Sequence, residues 1–120
     1  AAAAAGIDAG KVYLDVGIEP SGRRFRVRNA ADDIGRLVER LRGAGVRRVI
    51  LEAIGPYARA VVGALVTADF EVGLVNPRRI KGFREAEGKR AKTDRLDAGL
   101  IARCALRMTE TPRPVPTADQ

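Results

Sequence analysis

The sequence of 120 residues contains no histidine, no tryptophan and a single cysteine. The lack of histidine removes the commonest side-chain base near neutral pH, and with it the serine–histidine pair and most zinc geometries. Cys104 alone closes no internal disulfide, so nothing requires an oxidising compartment and a cytoplasmic location is expected. Aromatic residues make up 4%, too few to predict a platform for stacking bases. No apolar run is long enough to cross a bilayer, so no membrane partner is expected. The Ala1–Ala5 run has neither the charged leader nor the long apolar centre of a signal peptide, and it fits equally a small buried strand or a stretch whose side chains were not identified. Any catalysis has to come from carboxylates, lysines, hydroxyls or metal ions.

The chain is 46% hydrophobic and 31% charged with a net charge of +7, the balance of one small globular domain with a basic bias. From Ile7 to Asn29 the pattern has period two, with Val12, Leu14, Val16 and Ile18 on one face and Tyr13, Asp15 and Glu19 on the other, then Phe25 and Val27 between arginines. Asp8-Ala9-Gly10 and Glu19-Pro20-Ser21-Gly22 are turns, so the domain opens with a three-strand antiparallel meander. Ile34, Leu37, Val38 and Leu41 then recur at helical spacing behind Asp32 and Asp33, which are placed to cap that helix, and Gly43 and Gly45 end it. Val46–Leu51 is a strand running into Glu52. Pro56 starts a second helix with Val61, Val62, Leu65 and Val66 inward, and Val72–Val75 is a last strand. The alternation implies parallel strands beside the meander, hence a mixed five-stranded α/β sheet flanked by helices. A short helix around Ile80 and Phe83, interrupted by Gly82 and ended by Gly88, and a longer one from Thr93 to Met108 complete the domain. Pro112, Pro114 and Pro116 form an extended tail.

Four acids stand where solubility does not explain them. Asp8 and Glu52 end neighbouring strands, the place where open α/β sheets put ligands. Asp94 and Asp97 share a side of the last helix, and Asp97 projects among Leu100, Ile101, Cys104 and Met108. A carboxylate in an apolar stripe costs several kcal/mol unless it is paired or bound to a cation. Converging carboxylates raise one another's pKa values unless divalent cations compensate them. Hard oxygen donors suit Mg²⁺ or Mn²⁺, and two such ions about 4 Å apart serve phosphodiester chemistry without a protein base. Each acid also has a plainer role open to it: a turn cap for Asp8, a surface charge for Glu52, a helix-terminal acid for Asp94, and an ion pair with Lys92, Arg95 or Arg103 for Asp97.

The positive charge is local. Residues 78–120 hold 11 basic and 6 acidic side chains against 11 and 9 in residues 1–77, which places the excess beside the helix carrying Asp94 and Asp97. Arg78, Arg79, Lys81, Arg84, Lys89, Arg90, Lys92 and Arg95, with Lys11, are therefore the candidate contacts for a nucleic-acid backbone. The same charges on a solvated loop, with the acids as caps and ion-pair partners, would make a nucleic-acid-binding module without chemistry. Gly6-Ile7-Asp8-Ala9-Gly10-Lys11 completes neither the three-glycine dinucleotide fingerprint nor a phosphate loop ending in Lys-Ser or Lys-Thr.

Four segments carry a family resemblance: Gly6-Ile7-Asp8-Ala9-Gly10-Lys11, Leu51-Glu52-Ala53-Ile54-Gly55-Pro56-Tyr57, Val75-Asn76-Pro77-Arg78 and, above all, Ala91-Lys92-Thr93-Asp94-Arg95-Leu96-Asp97-Ala98. Over residues 6–120 the chain resembles the N-terminal catalytic domain of the DEDD transposases of the insertion-sequence 110 family. The resemblance implies a ribonuclease-H-like, RuvC-like fold in which Asp8, Glu52, Asp94 and Asp97 are the catalytic residues and bind Mg²⁺ or Mn²⁺. It implies an enzyme of DNA cleavage and strand exchange in site-specific transposition, guided by a structured RNA, homo-oligomeric at full length and associated with the nucleoid. It further implies a catalytic domain over residues 1–110 and, from 111 to 120, the start of a linker to a C-terminal domain bearing an attacking serine. The only serine here, Ser21, matches no family nucleophile, and Ile54 stands where family members commonly have threonine.

Overall fold

Period-two alternation and helical stripes predict which segments pair, and the computed structural model, which describes residues 3–52, 56–75, 77–86 and 98–107, shows how they are arranged. The elements are β1 (Ala3–Ala9), β2 (Tyr13–Glu19), β3 (Arg23–Arg28), α1 (Ala31–Gly43), β4 (Val46–Glu52), α2 (Arg59–Thr67), β5 (Glu71–Val75), α3 (Pro77–Ala86) and α4 (Ala98–Arg107). One sheet runs in the order β3-β2-β1-β4-β5. The pairs β1/β2 and β2/β3 are antiparallel, while β1/β4 and β4/β5 are parallel. This is the expected mixed sheet, with the meander on one side and the parallel pair on the other.

Alternation along the strands divides the sheet into two chemically different faces. Ile7, Leu14, Val16, Ile18, Val49 and Leu51 form one face, on which α1 buries Ile34, Leu37, Val38 and Leu41 and α2 buries Val61 and Leu65. Each such side chain, fully removed from water, contributes roughly 1.5–3 kcal/mol, so this face holds most of the core. On the opposite face Ala4, Ile50 and Val75 pack against Leu100, Ile101 and Ala105 of α4. That contact depends on two glycines. A Cβ at Gly6 would overlap the α4 backbone at Ala98, Ile101 and Ala102, and one at Gly17 would come within 2.8 Å of the Ala98 carbonyl oxygen. At the far end of α4, Arg48 Nη1 donates to the Ala105 carbonyl at 3.3 Å while Arg48 Nε pairs with Glu71 across the sheet. A cation there also favours the negative end of the helix dipole.

Several boundaries differ from the sequence expectation. Val12 is 58% exposed and precedes β2, because the reversal occupies Gly10–Val12: the Gly10 amide donates to the Tyr13 carbonyl and the Asn29 amide to the Val12 carbonyl. Helix α2 begins at Arg59 instead of Pro56, since Tyr57 and Ala58 form a turn whose Pro56 carbonyl accepts the Arg59 amide at 3.3 Å. Gly82 does not interrupt α3, in keeping with the modest cost of about 1 kcal/mol for a glycine inside a helix. Asp33 does not cap α1. Its carboxylate accepts the Arg28 amide at 2.9 Å and pairs with Arg28 and Arg36, tying the end of β3 to the first turn of the helix. Of the long last helix, residues 98–107 are described; Thr93, Asp94, Asp97, Met108, Gly88 and the proline-rich tail lie outside the described residues.

Two outcomes test this packing. Gly6→Ala is expected to destabilise the protein by about 1–3 kcal/mol or more in chemical denaturation, because backbone meets backbone. Gly35→Ala, on an open face of α1 with nothing within 4 Å of the added methyl, is expected to stabilise by roughly 0.5–1 kcal/mol. The Arg28 hydrogen bonds hold the Asp33 carboxyl at about 2, below the usual 3.8. Because the folded value is depressed, its contribution to stability is present above about 3.8 and is lost as pH falls through about 2. Denaturation curves between pH 5 and pH 2 should therefore flatten in Asp33→Asn relative to the parent.

Candidate functional site

Ile7 and Leu51 are partners in the parallel β1/β4 ladder, and the residues that follow them are Asp8 and Glu52. Their side chains leave the sheet on the α4 side at the same level, on strands spaced about 4.8 Å apart. The level continues across the sheet, because Asp8 pairs with Asp15, Asp15 with Arg26, and Glu52 with Val75. One row thus reads Val75, Glu52, Asp8, Asp15, Arg26. Arg26 closes it with a forked pair to Asp15, Nε to Oδ1 at 2.8 Å and Nη2 to Oδ2 at 3.4 Å.

No ion pair with a described residue does the same for Glu52. Partial burial pushes its carboxyl above the usual 4.5, and the charge of Asp8 raises it further. Asp8 and Glu52 are thus two hard oxygen donors held close enough to repel, the donor chemistry that suits Mg²⁺ or Mn²⁺. Asp15 is committed to Arg26, and among the described residues no three histidine, cysteine, aspartate or glutamate side chains form a metal-holding group. Asp94 and Asp97 lie outside the described residues. Ala98, which follows Asp97 in the sequence, lines a shallow cleft of about 460 Å³ together with Asp8, Asp15, Arg24, Arg26 and Gly99.

The loops at this end of the sheet are fastened to one another. Asn29 Nδ2 donates to the Gly10 carbonyl and to the Tyr57 carbonyl, both at 2.9 Å. One side chain therefore links the turn after Asp8 to the segment that leads from Glu52 into α2. Sequence reading passed over Asn29, Asp15, Arg24 and Arg26. The alternation of Arg24 and Arg26 with Phe25 and Val27 was visible and put the arginines opposite the core, but not which acids they would meet.

Of the expected basic contacts, Lys11 is exposed in the turn beyond Asp8, and Arg78 and Lys81 are exposed on α3, which packs against α4. The side chains of Arg79 and Arg84, and Lys89, Arg90, Lys92 and Arg95 altogether, lie outside the described residues. Ser21 sits in the β2–β3 turn, at the end of the sheet opposite Asp8, with its Oγ donating to the Ile18 carbonyl at 3.2 Å. Cys104 is buried, and no helix among the described residues is long and apolar enough to cross a membrane.

A family model described as Transposase, that of the DEDD type of insertion sequence 110, matches residues 5–120. Among solved structures, RuvC of T. thermophilus in complex with a Holliday junction substrate aligns with a TM-score of 0.58 at 21% identity, covering 99% of this chain and 87% of that one. That likeness establishes the RuvC-like, ribonuclease-H-like fold. YeaZ from Pseudomonas aeruginosa aligns with a TM-score of 0.41 at 15% identity, over 72% of this chain and 51% of that one. No curated protein matches the sequence.

The coupling of the two strand-end acids is directly measurable. With divalent cations chelated, carboxyl-carbon NMR should find Glu52 titrating above 4.5, and Asp8→Asn should lower that value without restoring it fully, since burial, the larger cause, remains. A raised carboxyl pKa means that stability falls as pH rises through it, so Asp8→Asn should also shrink that loss. A Glu52 titration indifferent to Asp8 would show that the two do not interact.

Proposed function

The chain belongs to the DEDD transposases of the insertion-sequence 110 family, and on that basis we propose a metal-dependent catalytic domain that cleaves DNA phosphodiesters and exchanges strands during site-specific transposition. The observation that carries this reading is the placement of Asp8 and Glu52 directly after the paired Ile7 and Leu51 of adjacent strands, where the charge of Asp8 adds to the burial that raises the Glu52 carboxyl. With Asp94 and Asp97 they would hold Mg²⁺ or Mn²⁺, which when bound activates an attacking oxygen and stabilises the leaving one. The protein's own part is to fix the carboxylates. The Ile7–Leu51 pairing sets their level, Asn29 joins the loops beyond them, and Arg26 occupies Asp15 so that it does not add to the repulsion.

In this proposal residues 1–110 form the catalytic domain and residues 111–120 begin a linker. Lys11, Arg78, Arg79, Lys81, Arg84, Lys89, Arg90, Lys92 and Arg95 contact the nucleic-acid backbone without reading sequence. Base specificity falls to a structured guide RNA, and the covalent link to DNA to a serine outside this sequence, because Ser21 faces the wrong end of the sheet. The active form is a homo-oligomer in the cytoplasm, at the nucleoid. The RuvC neighbour was solved on a Holliday junction, which makes a branched DNA the first substrate to test.

A cation titration separates an enzyme from a passive binding module. Mn²⁺ should raise the melting temperature of the parent, by the equivalent of about 2.7 kcal/mol at a hundredfold excess over Kd, and should not do so in Asp8→Asn or Glu52→Gln. In the complete transposase Asp8→Asn, Glu52→Gln and Asp97→Asn should keep the fold and lose Mg²⁺-dependent cleavage by at least about a hundredfold. Unchanged cleavage in these variants would overturn the assignment.

A further inference from the structure

The edge strand β3 holds four arginines in six residues, Arg23, Arg24, Arg26 and Arg28, and no acid. Two of them are engaged: Arg26 with Asp15 and Arg28 with Asp33. Arg23 shares the face of Phe25 and so lies on the side opposite Arg24. Arg24 is left as the exposed arginine on the face of Asp8 and Glu52, and it has no ion pair with a described carboxylate. Its guanidinium lies close to α4. A Cβ at Gly99 would overlap Nε, Cζ and Nη2 of Arg24, so the guanidinium approaches α4 at a position where a glycine makes room for it. The same side chain lines the cleft that contains Asp8.

Arg24 pairs with Gly17, which pairs with Gly6, so it sits two strands across and two residues along from Asp8. Strand spacing and rise put these Cα atoms roughly 12 Å apart. With the guanidinium turned toward Gly99 and not along the strand toward Asp8, this separation suits a neighbouring phosphate on the same strand. Resting a guanidinium beforehand lowers the entropy lost on binding, and its planar fork matches two phosphate oxygens. We propose that Arg24, seated on Gly99, is a DNA-backbone contact of this cleft and holds a phosphate flanking the one presented to Asp8 and Glu52. The proposal rests on the DNA reading above and adds a residue outside the basic segment already assigned.

The test is fluorescence anisotropy of the full chain on a labelled branched DNA over a KCl series, with a chelator present so that no cleavage occurs. Arg24→Ala should weaken binding about tenfold and reduce the slope of log affinity against log salt by about 1. Arg24→Lys should recover the slope but not the full affinity, since it returns the charge without the fork. Arg23→Ala loses the same charge from the other face and should bind within about twofold of the parent. Arg24→Ala should keep the melting temperature and its Mn²⁺ response, which excludes a folding defect. Parent-like binding by Arg24→Ala, or an equal loss in Arg23→Ala, would overturn the role of Arg24 while leaving DNA as the substrate. A parent protein with no salt-dependent affinity for DNA would overturn both.

Discussion

Two carboxylates on neighbouring parallel strands repel, and they stay together here because the residues just before them cannot move apart. Ile7 and Leu51 are paired in the β1/β4 ladder and are buried under α1 and α2. Sliding one strand by a single residue would turn every apolar side chain of that strand to the wrong face. The core therefore fixes the register, and the register fixes Asp8 beside Glu52. Burial raises the Glu52 carboxyl, and the charge of Asp8 held beside it by that register raises it further.

The two faces of the sheet divide the work. One is a conventional apolar layer, closed by the stripes of α1 and α2. The other is closed by α4, which packs on the small residues Ala4, Gly6 and Gly17 and leaves the end of the sheet near Asp8 open as a cleft. Small side chains at these positions are what allow a helix backbone to approach a sheet so closely. Gly99 repeats the device from the helix side, where the neighbour admitted is the guanidinium of Arg24.

Charge is handled locally across the same surface. Asp15 is matched by Arg26, and Asp33 by Arg28 and Arg36, whereas at Glu52 the charge of Asp8 adds to the burial that raises the carboxyl.

Most of the fold was legible in the sequence because it is written in local periodicity. Alternation marked β2 and β3, the spacing of Ile34, Leu37, Val38 and Leu41 marked α1, and short apolar runs marked β4 and β5. Element ends were less legible. Whether Pro56 starts a helix or a turn, and whether Asp33 caps α1 or holds Arg28, depends on groups far away in the chain. Asp8 and Glu52 could be singled out because strand-end acids are unusual. The partners Asp15, Arg24, Arg26 and Asn29 could not, since a residue's face is set by its own strand but its neighbours are set by strand order and register. Sequence by itself determined the kinds of elements, the two faces of each strand and the acids worth asking about. Only the tertiary structure decided which side chains share a row and how close a helix comes to the sheet, because those follow from pairing between segments that local pattern does not encode.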